Sequence, residues 1–177
     1  MTAAADFQEN KEDEQVESIR QLEEWQGLRG INRVWEFDAP VETVFRAHTD
    51  PLWLARWLVP EGVELRFRRW DARTGGSWSY SVGAGGDDWT FYGSFHEVSE
   101  PWRIVQTVEA EADSHGPVLE VLDFLELPGG GCRLEAIAMF TSPAAREEVG
   151  GSDDDGGLAR LTDLLSELGA FSTPLPQ

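Results

Sequence analysis

Between residues 63 and 140 the chain repeatedly alternates apolar and polar positions with a period of two. That is the mark of half-buried strands, because successive side chains of a strand point to opposite faces. Val63, Leu65 and Phe67 alternate with Glu64, Arg66 and Arg68. Trp78, Tyr80 and Val82 follow after the turn Thr74-Gly75-Gly76. Trp89, Phe91, Gly93 and Phe95 share one face of a longer strand that ends at Ser99-Glu100-Pro101. Further strands are predicted over 104–112, 118–127 and 132–141, with another ahead of them all over 31–37. The links from residue 63 onward are short and Gly-rich. Parallel pairing would need crossovers of a dozen or more residues, so the strands predict an antiparallel meander.

Elsewhere the period is helical. Val41, Val44, Phe45 and His48 stand at i, i+3, i+4 and i+7, one face of a helix. Asp38-Ala39-Pro40 ends the first strand and puts Pro40 in the first helical turn, with Asp38 or Ala39 just outside it. Asp50-Pro51, a capping carboxylate before a first-turn proline, starts a second short helix through Leu58, and Pro60 stops it. Ser142-Pro143 opens a helix to about Val149. The stretch GGSDDDGG at 150–157 is a poor helix former, and a break or flexible gate is expected at about 150–156. Leu158, Leu161, Leu164, Leu165 and Leu168 then form one apolar stripe, closed by Gly169 as a C-cap. Near the N-terminus Val16, Ile19, Leu22 and Trp25 recur every third residue, a weak amphipathic pattern over 15–28. It fits either a frayed extension or a helix docked through Trp25. The chain therefore divides into an acidic extension over 1–30, one domain over 31–169 and a tail over 170–177. The domain is α+β, and its single sheet needs a cover on one face, for which the Leu-rich helix is the obvious candidate.

Charge narrows the functions. The chain has 33 acids against 14 bases, a net charge of −19, and Lys11 is its one lysine. Phosphate backbones and anionic membranes are disfavoured partners, since both are bound through Lys and Arg. No apolar run reaches the 18 residues or so of a spanning helix. The acidic N-terminus does not read as a signal peptide, so a cytoplasmic location is the default. One cysteine, Cys132, leaves no intramolecular disulfide and no thiolate metal cluster.

FDAPVETVFRAHTDPLWLARWLVPEGV resembles the opening of the START-like (SRPBCC) superfamily, and is most similar to the branch of activator of heat-shock-protein-90 ATPase homologues. WDARTGGSWSYSV, FYGSFHEVSEPWRIVQTVE, FLELPGGGCRLEAIAMFTS and ARLTDLLSEL continue the pattern in order, so the resemblance covers about residues 31–168. It implies a helix-grip fold: a curved antiparallel sheet of six or seven strands around a C-terminal helix, enclosing a cavity. It implies a hydrophobic small-molecule ligand such as a lipid, sterol or polyketide, and names no reaction. Two departures stand out. Relatives carry a continuous helix where GGSDDDGG lies, and the segment is about four residues short, roughly one turn. Their paired tryptophans are reduced to Trp57-Leu58.

Aromatic residues carry the candidate site: eight Trp, nine Phe and two Tyr. Core packing explains many, but such a cluster in this fold suits a flat-walled pocket for a planar or polycyclic ligand. The candidate lining is Trp53, Trp57, Trp78, Tyr80, Trp89, Phe91, Phe95, Phe124, Met139, Leu161 and Leu165. His48, His96 and His115 show no metal-ligand spacing and read as structural or exposed. No nucleophile elbow is present, and the Gly clusters join strands rather than opening helices, which disfavours nucleotides. No cofactor is implied. Glu120, Asp123 and Glu135 would do acid–base work if buried in an apolar cavity, and otherwise form a solvated face. Arg66, Arg68, Arg69 and Arg73 form a basic patch that either pairs with surplus acids or anchors a ligand carboxylate. Three functions remain: binding of a hydrophobic, aromatic ligand; a polyketide cyclase or isomerase working in the same cavity; and a co-chaperone-like interaction module. Monomer and homodimer are both open.

Overall fold

The alternating segments become seven strands: β1 Gly30–Phe37, β2 Glu64–Trp70, β3 Ser77–Gly83, β4 Trp89–Ser99, β5 Arg103–Ala110, β6 Val118–Glu126 and β7 Cys132–Met139. They form one antiparallel sheet in the order β1-β7-β6-β5-β4-β3-β2, a meander to which the first strand adds beside β7. The structure is a computed structural model that describes residues 29–83, 88–111, 115–150 and 156–171. The helix expected over 15–28, the break and gate expected at about 150–156, and the tail expected over 170–177 fall outside the described residues, wholly or for the most part; the last helix runs to Phe171, past the expected cap at Gly169.

β1 and β2 stand at the two edges of the sheet, so the chain must cross from one to the other. It does so through α1 (Val41–Thr49) and α2 (Pro51–Trp57). α1 buries Val41, Val44, Phe45 and Ala47. Phe45 meets Phe124 of β6 edge to face, with ring centroids 5.2 Å apart. Pro40 does not occupy the first turn of α1, as its sequence position suggested. It is the N-cap, with ψ 148°, and its carbonyl accepts from the Thr43 and Val44 N–H groups at 2.9 and 3.1 Å. At α2 the expected cap is present: Asp50 Oδ1 accepts from the Leu52 N–H at 2.9 Å, followed by Pro51.

α3 (Pro143–Gly150) and α4 (Gly156–Phe171) complete the chain. The leucine stripe of α4 is its buried face: Leu161, Leu164 and Leu165 are buried, and Leu158 and Leu168 pack against the same core. Arg160 ties α4 to α2. Its Nε donates to the Trp57 carbonyl at 2.9 Å and its guanidinium reaches the Leu58 carbonyl at 3.5 Å. These are carbonyls at the end of α2, which the helix itself leaves unpaired. Arg160→Leu is expected to lower stability by about 2 kcal/mol, the worth of charge-assisted hydrogen bonds in a partly buried place. A urea titration checks this, and an unchanged midpoint would mean that water replaces the arginine at no cost.

β2 departs from simple alternation. Its pairing with β3 slips between Phe67 and Arg69. The bulge brings Phe67 and Trp70 to one face, with their rings 5.1 Å apart. Without it Trp70 would point away from the core.

Candidate functional site

The concave face of the sheet, α1, α2 and the first turn of α4 enclose a cavity of about 460 Å³. This lies in the range of small-molecule sites. Strand parity selects its walls. Ile31, Arg33 and Trp35 of β1 face it, as do Ile104, Gln106 and Val108 of β5, Val118, Glu120 and Leu122 of β6, and Leu134, Ala136 and Ala138 of β7. Most of the wall is apolar, and the two alanines leave room where larger side chains would fill it.

Register places these residues in rows. Val118, Val108, Gly93, Trp78 and Trp70 are successive partners from β6 to β2. Gly93 is the one that can only be glycine. A Cβ there would stand 1.8 Å from the Thr107 carbonyl oxygen and 2.6 Å from the Trp78 ring. Its absence lets the Trp78 indole lie on the sheet, stacked on Tyr80 at 5.2 Å and 12°. The Trp78 N–H is buried and has no acceptor among the described residues. Such a donor costs stability until it is paired.

Polar groups interrupt the apolar wall. Gln106 Nε2 donates to Glu120 Oε2 at 2.9 Å. Burial pushes the Glu120 carboxyl above its ordinary range, partly offset by that hydrogen bond. The surface Glu120 keeps is turned to the cavity rather than to bulk water. Burial, with a smaller contribution from Glu120, also pushes the Tyr80 phenol up, so it stays protonated. His48 lines the cavity from α1, its ring between Trp57 at 5.0 Å and Phe124 at 5.2 Å. Its Nδ1 lies 2.8 Å from the Val44 carbonyl. Burial lowers its pKa to about 4. The site thus holds a neutral imidazole, a phenol and a carboxyl biased toward its neutral acid.

The candidate lining residues scatter. Trp57, Trp78 and Tyr80 come together in the wall. Phe91 borders a separate hollow of about 100 Å³. Phe95, Phe124, Leu161 and Leu165 are core residues beneath or beside the cavity, because α4 presents only Gly157 and Leu158 to it. Trp53 packs outside, under the Arg46 guanidinium at 4.4 Å, because the inner positions of α2 are Leu54 and Trp57. Trp89 begins β4 beyond the cavity and is 59% exposed. Met139 lies outside the wall, to which β7 and the residue after it contribute Leu134, Ala136, Ile137, Ala138 and Phe140. Of the acids weighed from sequence, Glu120 alone faces inward. Asp123 pairs with Arg103 at 2.7 Å on the other face. Arg66 and Arg73 lie outside the cavity, paired with acids: Glu64 and Asp88 for Arg66, Asp71 for Arg73. His48 departs from its purely structural reading by facing the cavity, whereas His96 is exposed and His115 pairs with Glu148 at 3.0 Å. Arg33, Gln106, Ala136 and Ala138 are wall residues that aromatic content did not reveal, and Trp35 and Trp70 are aromatic wall residues outside the candidate lining. Cys132 is fully buried, with its thiol pushed up to about 11, so it is no nucleophile at neutral pH. Among the described residues no cluster of His, Cys, Asp and Glu could hold a metal ion, and no helix is long and apolar enough to cross a membrane.

Comparison with known proteins follows the same geometry. The family model described as activator of Hsp90 ATPase homolog 1-like protein matches residues 38–169. A crystal structure of a protein from Chromobacterium violaceum is 27% identical, covering 77% of this chain and 96% of that one, with a TM-score of 0.69. A protein from Nitrosomonas europaea is 25% identical over 80% of this chain and 97% of its own, with a TM-score of 0.68. CalU16 from Micromonospora echinospora is 25% identical over 80% and 79%, with a TM-score of 0.57. No curated protein matches the chain at a significant level.

Proposed function

The chain belongs to the activator of Hsp90 ATPase homolog 1-like family, a branch of the START-like superfamily with the helix-grip fold, and from that premise we propose that it binds a hydrophobic, aromatic or polycyclic small molecule. One observation carries this reading: about 460 Å³ of space walled mainly by apolar and aromatic side chains, with a few polar groups among them. Sites for small organic molecules have this composition, the apolar wall supplying affinity and the polar groups orientation. Stacked indole and phenol rings favour flat ligands.

Ala138→Phe tests the proposal. Ala138 faces the cavity between Ile31 and Glu120, so a phenyl ring enters the space a ligand would use. The flat probe 2-naphthol is expected to bind the unaltered protein saturably, one per chain, and the variant at least tenfold more weakly. Thermal stability should change little, because the ring fills space rather than displacing neighbours. Equal binding to both proteins would place the probe elsewhere. Native mass spectrometry of the purified protein would then look for a co-purifying small molecule.

The buried carboxyl of Glu120 supports a second reading, a cyclase or isomerase of polyketide type. A carboxyl biased toward its acid form and a neutral imidazole lining one cavity can give and take protons around a folded substrate.

A further inference from the structure

Resting on the ligand-binding reading above, we infer that the ligand carries a hydroxyl group, and that its O–H donates to Nε2 of His48. The geometry around the imidazole leaves one role for each nitrogen. Nδ1 stands 2.8 Å from the Val44 carbonyl oxygen. A carbonyl can only accept, so Nδ1 carries the proton. In the neutral ring Nε2 then keeps its lone pair and can only accept. No hydrogen bond to Nε2 is formed by the described residues. The ring is held in place by Trp57 and Phe124 and by the hydrogen bond to its own helix, so the acceptor is fixed before any ligand arrives. With its pKa lowered to about 4, the imidazole remains neutral at physiological pH.

What surrounds His48 sets the skeleton that carries the hydroxyl. Trp57 and Trp70 share the wall with it, and both indole N–H groups are already used, on the carbonyls of Ala47 and Thr49 at 2.8 and 2.7 Å. Their ring surfaces remain for apolar contact. An acceptor set among the aromatic rings of Trp57, Trp70 and Phe124 matches a phenol or naphthol: a flat apolar body with a donor on its rim. A ligand of the same shape without the donor would leave Nε2 desolvated and unpaired, a penalty that makes hydrogen-bonding sites selective.

The test compares 2-naphthol with 2-methylnaphthalene, which differ only in the donor, by calorimetric or NMR titration. The unaltered protein is expected to favour 2-naphthol by about tenfold more than His48→Phe does, roughly one hydrogen bond. A measurement on the unaltered protein covers the case in which the variant does not fold. The imidazole ¹⁵N spectrum should show Nδ1 protonated and Nε2 bare, and the Nε2 resonance should move on adding 2-naphthol but not on adding 2-methylnaphthalene. If both probes bind and the His48 Nε2 resonance responds to neither, or to both alike, the hydroxyl inference is overturned and the cavity reading stands. If neither probe binds saturably, both fall together.

Discussion

Phe124→Ala will cost about 3–5 kcal/mol of folding stability, a large share of the 5–15 kcal/mol typical of a whole domain. Phe124 is fully buried on β6 and meets two rings of α1 edge to face, Phe45 at 5.2 Å and His48 at 5.2 Å. It is the peg that holds α1 on the sheet. Removing the phenyl ring forfeits its burial and leaves a hole that the rigid sheet beneath cannot close. Phe124→Leu, which refills part of the volume, should recover much of the loss. Urea denaturation of the two variants reads both effects. A loss below about 1 kcal/mol for the alanine variant would mean that α1 is not anchored there. The sequence placed Phe124 among ligand-contacting residues. A wall residue would instead lower probe affinity and leave the denaturation midpoint nearly in place.

The next largest effect is a dependence on pH carried by His48. Its folded pKa of about 4 lies below the ordinary 6.5 because burial disfavours the charged ring, and the hydrogen bond to Val44 opposes this only in part. The unfolded chain therefore takes up a proton below about pH 6.5 that the folded chain refuses. The contribution of His48 is complete above the unfolded pKa and is lost as pH falls toward 4, by about 3 kcal/mol in all. Other titratable or charged groups share its cavity: Glu120 on β6, Arg33 on β1 and Tyr80 on β3. Glu120 works in the opposite direction. Its carboxyl is raised, so its contribution is present at low pH and lost as pH rises through its folded value. The two are separated by comparing the protein with His48→Gln between pH 7 and pH 4. The stability gap between them should shift by about 3 kcal/mol against the unaltered protein at the acid end. Parallel pH profiles would mean that His48 takes up its proton alike in the folded and the unfolded chain.

Much of the fold could be read from the chain because each element announces itself locally. Alternation marks the strands, Asp50-Pro51 marks the start of α2, and the leucine spacing marks the buried side of α4. The bulge in β2 could not be read, since it depends on how the strand meets β3 rather than on its own composition. The cavity wall was harder, for a different reason. Aromatic content points to large rings as its lining, yet a cavity exists where side chains are small or where something fails to fill. Ala136 and Ala138 do this on β7, while Phe95 and Phe124 fill their places and become core. One signal was present in the alternation. Arg33 stands between Ile31 and Trp35, Gln106 between Ile104 and Val108, and Glu120 between Val118 and Leu122, each on the apolar parity of its strand. A polar residue on the buried side of three separate strands points to a shared polar interior. Their common location needs the register of the sheet, which pairs Gln106 with Glu120 and is absent from any one segment.

The arginines of β2 take on another meaning from where that strand lies. Because the sheet does not close, β2 keeps one side of its backbone unpaired by any strand of the sheet, a template on which another extended chain could add itself. Arg66, Arg68 and Arg69 crowd this strand, and its bulge bends the backbone out of regular register. Two copies meeting along that edge would have to accommodate Arg68 and Arg69 on irregular backbones, Arg66 being already paired with Glu64 and Asp88. Charged side chains and a bulge on an open edge strand are features that disfavour edge-to-edge pairing of sheets.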